Sequence, residues 1–263
     1  MTEISTQSVL RGLTTEFLGR TVAYHARVDS TNNVADALAR QGAAEGTLVI
    51  ADEQTAGRGR LNRRWLAPAG TSLLFSLIFR PELPIQRAHG LTMICGLGVH
   101  AAIQEVTGLP VRLKWPNDIL IHGRKTGGIL SESCVTASRI EYAIVGIGLN
   151  VNMAVDALPT ELCATSLAHE LGDPVPRVAL LQHILTHIEE RYCALRSGAW
   201  PVREWSAALD TLGQRIRVQT GEGLLEGTAE SVDDSGALCV RQANGDLRQV
   251  VVGDVAASAT GSD

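Results

Sequence analysis

Residues 111–151 constrain the fold most. Four strand-like runs, over 111–115, 118–121, 125–135 and 139–151, are separated only by short turn-forming groups, among them Pro116-Asn117 and His122-Gly123-Arg124. Connections this short join antiparallel neighbours, because a parallel crossover needs a dozen or more residues. The segment therefore predicts an antiparallel meander. It brings Lys114, Asn117, Asp118, Lys125 and Asn150 to the ends of adjacent strands, where their side chains can converge on one cleft.

Two further strands are expected upstream, over 47–51 and 71–80, the second with Leu73, Phe75, Leu77 and Phe79 on one face. Between them two glycines and four arginines fall from Gly57 to Arg64, in a chain of formal net charge −5, so this positive charge is local. Gly57 and Gly59 remove side chains where the backbone would approach a ligand. Arg58 and Arg60 alternate with them as planar forks suited to phosphate or carboxylate oxygens. A solvated basic loop has the same composition, so the anion-binding reading needs support from neighbouring motifs. The glycines predict a segment that is mobile when empty and closes over its ligand, with Trp65 packing at its exit.

Helices are expected over 32–41, with Ser30 or Thr31 as N-cap and Gly42 at the end, then over 86–107, 177–195 and 200–212. The first helix start can also offer donors and acceptors to a polar ligand head. Beyond Gly213 the pattern changes to short β segments at 216–218, 224–232, 237–241 and 247–252, and residues 256–263 read as a frayed tail. Residues 1–20 read as a Thr/Ser-containing leader with no secretory signal.

With 263 residues, 45% of them apolar, the chain can hold one large domain and a small one, and no apolar run is long enough to cross a bilayer. Its cysteines (Cys95, Cys134, Cys163, Cys193, Cys239) are odd in number and far apart, which fits reduced thiols in a cytoplasm, with Cys95 and Cys134 as small core residues. His183 and His187 are four apart on an expected helix. They lack the glutamate that follows the first histidine of zinc-protease helices, which favours a surface or packing role.

Four co-linear stretches join the Gly/Arg segment: Asp29-Ser30-Thr31-Asn32, Lys114-Trp115-Pro116-Asn117-Asp118, Lys125-Thr126-Gly127-Gly128-Ile129-Leu130 and Gly146-Ile147-Gly148-Leu149-Asn150-Val151-Asn152. In this order and spacing the chain, from about Asp29 to its end, resembles the biotin protein ligases, which attach biotin to a lysine of a carboxylase carrier. The resemblance implies an α+β catalytic domain of the class II aminoacyl-tRNA-synthetase-like type over 1–212, with a central mixed or antiparallel sheet flanked by helices. It implies an SH3-like β-barrel over 213–263.

It also implies roles. Ser30, Thr31, Asn32, Gln54, Gly57, Arg58, Gly59, Arg60, Trp65 and Gly128 match the biotin and adenylate side, and Lys125 reaches the carboxylate and the α-phosphate. Arg58, Arg60 and Lys125 would carry the catalysis. Arg63, Lys114, Asn117, Asp118 and Asn150 match the ATP side, with Asn117 and Asp118 candidates for placing Mg²⁺. ATP and a biotin carboxyl carrier protein are the expected partners, with no DNA or membrane and with homodimerisation possible. Two departures stand out: Asn62 where a third glycine is common, and Thr126-Gly127 in place of Leu-Ala. Lipoate or octanoate transfer through a Cys134 thioester, and a biotin-sensing regulator without turnover, remain as alternatives.

Overall fold

A computed structural model describes residues 3–154, 163–221 and 223–257. The meander forms as its turns require: β4 (Val111–Lys114), β5 (Asp118–Ile121), β6 (Arg124–Thr136) and β7 (Arg139–Asn150) pair in antiparallel succession. β7 then pairs with β3 (Ser72–Phe79), from Asn150 opposite Ser72 to Ala143 opposite Phe79. β3 is antiparallel to β2 (Leu48–Gln54), and β2 is parallel to β1 (Val22–Val28). The outcome is a seven-stranded mixed sheet in the order β1-β2-β3-β7-β6-β5-β4.

Helices cover both faces. α3 (His89–Thr107), which stops at Gly108 with φ 71°, joins α5 (Arg177–Arg196) in the main core on one side. α2 (Thr31–Arg40) packs Ala35 and Ala39 against Val49, Ile78, Tyr142 and Ile144 on the other. This is why every residue of β3 is buried, and not only the alternating set that faces the main core. Between α3 and α5, Glu105 meets both His183 (Nδ1, 3.2 Å) and His187 (Nε2, 2.7 Å), so the histidine pair ties two helices together at the surface. α4 (Leu167–Leu171) is a short additional helix before α5.

Three expectations need correction. First, residues 1–20 read as a leader with no element of their own, yet they form α1 (Thr6–Leu10), closed by a Ser5/Ser8 capping box, and bury Ile4, Val9 and Leu13; β1 follows. The anchor of this segment is tertiary. The buried carboxylate of Glu189 on α5 accepts the backbone N–H groups of Glu16, Phe17 and Leu18 at 2.6, 3.0 and 2.8 Å, which no local pattern reveals. Second, α6 (Val202–Ala208) is shorter than expected: Leu209 turns extended (ψ 126°) and bridges Leu113 on edge strand β4, with Asp210 N–H on Leu113 O at 2.7 Å, while Arg112 binds the carbonyls of Ala207 and Leu209 at 3.1 and 2.9 Å.

Third, the C-terminal module is an open sheet. β8 (Arg215–Thr220), β9 (Gly223–Val232), β10 (Leu238–Arg241), β11 (Leu247–Val250) and β12 (Asp254–Ala257) order as β11-β10-β9-β8-β12, all antiparallel. Among the described residues β11 and β12 do not pair, so no barrel closes. Residues 256 and 257, expected in the frayed tail, belong to β12; residues 258–263 lie outside the described residues. The two sheets share one apolar core, and the buried Trp115 donates its indole N–H to the Gly236 carbonyl at 3.0 Å. Among the described residues no helix is long and apolar enough to cross a membrane.

Candidate active site

The sequence motifs converge on a single cavity of about 880 Å³. One end is built by the start of α2, held against β2 and β3. Ser30 occupies the N-cap position, but its hydroxyl makes no capping bond, so the helix does not consume it. Thr31 donates its backbone N–H and its hydroxyl to Gln54 Oε1, at 2.7 and 3.0 Å. Asn32 donates to Glu132 on β6 at 2.7 Å, and Arg58 pairs with the same Glu132 oxygen at 2.8 Å. A Cβ at Gly146 would lie 2.0 Å from Asn32 Oδ1, so β7 has to carry glycine there.

The middle is lined by Trp65. Its ring lies over Gly148, where a Cβ would come within 2.7 Å of the indole, and against Gly128. Trp65 thus does more than pack at the loop exit: it forms a wall, and its Nε1 is buried with no partner among the described residues. The Lys125 ammonium stands 5.8 Å from the ring centroid and pairs with Asp118 across β5 and β6. Asp118 therefore takes Lys125 as its ion-pair partner, in preference to its strand neighbour Lys114, which among the described residues carries no ion pair.

The far end is charged. The Gly/Arg segment folds back on itself, with Gly59 N–H donating to Arg63 O at 2.7 Å and Trp65 N–H to Gly57 O at 2.9 Å. Leu61 at its tip has φ 53°, in the left-handed region. The segment docks on the C-terminal sheet: Arg60 reaches Asn117 Oδ1 at 3.4 Å, Gly253 O at 3.2 Å and Asp254 at 3.4 Å, and Arg63 also pairs with Asp254. Burial pulls the Arg60 pKa below its usual range, against the opposing fields of Asp254 and Asp118. Asn150 donates to Thr165 O at 3.0 Å, while its Oδ1 is buried without a partner among the described residues. Segment 163–165 closes this wall, with Lys125 N–H on Cys163 O and Thr165 N–H on Lys125 O at 3.0 and 2.8 Å.

Of the residues picked out by sequence, Ser30, Thr31, Asn32, Gln54, Arg58, Gly59, Arg60, Arg63, Trp65, Lys114, Asn117, Asp118, Lys125, Gly128 and Asn150 all line the cavity. Gly57 does not. It lies behind Trp65, where a Cβ would be 2.7 Å from the Trp65 carbonyl, so it serves a close backbone approach. Cys134 is also absent from the lining, sitting half-buried further along β6, so it offers no thiol to a ligand here. Asp254, Glu132 and Cys163 were missed. Asp254 borders what read as a tail, and Glu132 sits in a strand with no motif spacing of its own.

As a metal site the Asn117/Asp118 corner is sparse. Asn117 already donates to Ile129 O at 2.6 Å, and among the described residues no group of three or more His, Cys, Asp or Glu is placed to hold a metal. One carboxylate suits Mg²⁺ that is held mainly by phosphate oxygens and water.

A family model described as "Biotin/lipoate A/B protein ligase family" matches residues 24–150, and one described as "Biotin protein ligase C terminal domain" matches residues 211–257. The chain is 38% identical over 257 residues to the bifunctional ligase/repressor BirA of Bacillus subtilis, covering 96% of this chain and 79% of that one. It is 37% identical over 233 residues to the biotin–[acetyl-CoA-carboxylase] ligase of Paracoccus denitrificans, covering 86% and 95%. The structure is similar to that of the biotin protein ligase from Aquifex aeolicus in complex with biotin and ATP, with TM-score 0.78, 28% identity, and coverage of 91% of this chain and 100% of that one.

Proposed function

The chain belongs to the biotin protein ligase family, and from that premise we propose how its cavity divides the work. It is an ATP-dependent ligase that activates biotin and transfers it to a carrier protein. A carboxylate is not an electrophile at neutral pH, so it must first be adenylated: it attacks the α-phosphate, pyrophosphate leaves, and a carrier lysine amine then displaces AMP from the mixed anhydride. Anionic oxygens approach each other in the first step, and each charge-assisted hydrogen bond that offsets this contributes roughly 1.5–3 kcal/mol.

Ser30, Thr31, Asn32, Gln54 and Arg58 hold the cyclic urea head, and Trp65 with Gly128 and Gly148 walls the apolar body. Lys125 and Arg60 meet the carboxylate and the α-phosphate, with Gly59 letting the backbone approach. Arg63 and Lys114 take the departing phosphates, and Asn150 the nucleoside. Mg²⁺ would arrive with ATP and neutralise phosphate charge, with Asp118 its main protein ligand and Asn117 beside it. A cytoplasmic location suits an enzyme that draws on ATP and a carboxylase carrier. Among the described residues β6 pairs only with β7 from Ser131 to Thr136, an edge that suits a second copy of the chain.

The observation that carries this reading is that Arg58, Arg60 and Lys125 face one cavity together with the polar start of α2. Incubation with biotin, MgATP and a carrier domain should release pyrophosphate only when biotin is present and add one biotin to one lysine. Absence of biotin-dependent pyrophosphate release would overturn it.

A further inference from the structure

Glu132 does not line the cavity, yet its carboxylate holds Asn32, which does. An ionised carboxylate only accepts, so the Asn32 amide must turn its nitrogen to Glu132 (2.7 Å) and its oxygen to Ser76 (2.7 Å). Gln54 is oriented from the other side, because the Thr31 backbone N–H donates to its oxygen at 2.7 Å. Between these two acceptors stand the hydroxyls of Ser76 and Thr31, 2.8 Å apart, with Thr31 3.0 Å from Gln54 Oε1.

Two hydroxyl protons are thus shared among three contacts. If Ser76 gives its proton to Asn32, the Thr31 oxygen receives none, whether Thr31 donates to Gln54 or to Ser76. The one distribution that gives Thr31 a proton strands Asn32 Oδ1, on a side chain 4% exposed, at a cost of about 1–3 kcal/mol. The Leu130 carbonyl also accepts from the Asn32 nitrogen, but at a long 3.4 Å; without the carboxylate the amide could turn over and donate to Ser76, and the chain would then deliver a proton to Thr31.

Resting on the ligase reading above, we propose that Glu132 is a positioning residue that keeps the Thr31 hydroxyl an open acceptor beside the Gln54 amide nitrogen. The Gln54 nitrogen donates to no described group, so the pair offers one acceptor and one donor side by side. A cyclic urea, with N–H next to C=O, is complementary to it, and a fatty acyl chain is not. The same carboxylate oxygen tethers Arg58 at 2.8 Å over this end.

The test is steady-state pyrophosphate release from wild type and Glu132→Gln, with biotin and with biotin methylated on a ureido nitrogen. Glutamine keeps the shape but no longer dictates which way Asn32 points. It should raise the biotin KM about tenfold, equivalent to about 1.4 kcal/mol, leave kcat and the ATP KM nearly unchanged, and shrink the KM ratio between the two acids. Arg58→Ala, which leaves the Asn32–Glu132 bond in place, should raise the biotin KM and keep that ratio. An unchanged biotin KM and ratio in Glu132→Gln would overturn the role of Glu132 alone. So would parallel losses in both KM values together with a lower thermal midpoint, the mark of a merely structural residue. Lack of biotin-dependent release in wild type would instead overturn the ligase reading and this inference with it.

Discussion

The two ends of the cavity are built from different materials. The head end is a chain of hydrogen bonds among buried side chains (Thr31, Asn32, Ser76) fixed to α2 and three central strands, with Gly146 cut to fit it. The phosphate end rests on ion pairs: Arg60 and Arg63 of the Gly/Arg loop on Asp254 of the C-terminal sheet, and Lys125 on Asp118 between β6 and β5. Hydrogen bonds between buried side chains on rigid elements are directional and discriminate between ligands. Paired charges exchange partners more easily, so an incoming polyphosphate can replace a carboxylate. The contrast separates selectivity from reactivity within one cavity.

The sharpest way to break that contrast is Lys125→Ala, which removes the cation at the junction and leaves Asp118 facing the anionic substrates. Adenylation kcat/KM should fall by about 10²–10³, read as pyrophosphate release. Next is Gly146→Ala, whose methyl would overlap Asn32 Oδ1. Repacking should cost about 1–3 kcal/mol of stability and weaken biotin binding well beyond ATP binding, as calorimetric titrations of each ligand would show.

Asp254→Asn tests the other end. Loss of the counter-charge that holds Arg60 and Arg63 should raise the ATP KM about fivefold, about 1 kcal/mol, with the biotin KM unchanged. In Arg60→Ala the activated acid should escape and label lysines of a bystander protein, detectable by mass spectrometry.

The smallest effect concerns pH. Although burial opposes it, hydrogen bonds from Thr165 and His122 and the charge of Arg124 hold the Glu170 carboxyl below the usual range. A depressed carboxylate pKa contributes stability above the unfolded value, about 4.3, and that contribution is lost as pH falls through the lower folded value. The difference in thermal midpoint between wild type and Glu170→Gln should therefore be present at pH 7 and shrink below about pH 4.

The same contrast explains what could be read from the sequence. The meander, α3 and the two flanking strands are local patterns of turns and apolar periodicity, and they appear where expected. The Gly/Arg segment and Lys125 were legible because charge and glycine are conspicuous in an acidic chain. Asp254 was not, since its partners lie almost two hundred residues away and only the pairing of β12 with β8 brings it near. β1 and α1 escaped notice for a similar reason: their anchor is Glu189, and β1 itself is only half-buried, without clean alternation. Glu132 looked like one more polar residue on a strand until the orientation of Asn32 gave it a task.

The most direct test varies both substrates in Ser30→Ala and Lys114→Ala, following biotin-dependent pyrophosphate release. Ser30 makes no capping bond and Lys114 no ion pair among the described residues, so neither change should disturb the fold. A raised biotin KM in the first variant alone and a raised ATP KM in the second alone would uphold the division between the two ends. Equal shifts of both constants in both variants would contradict it.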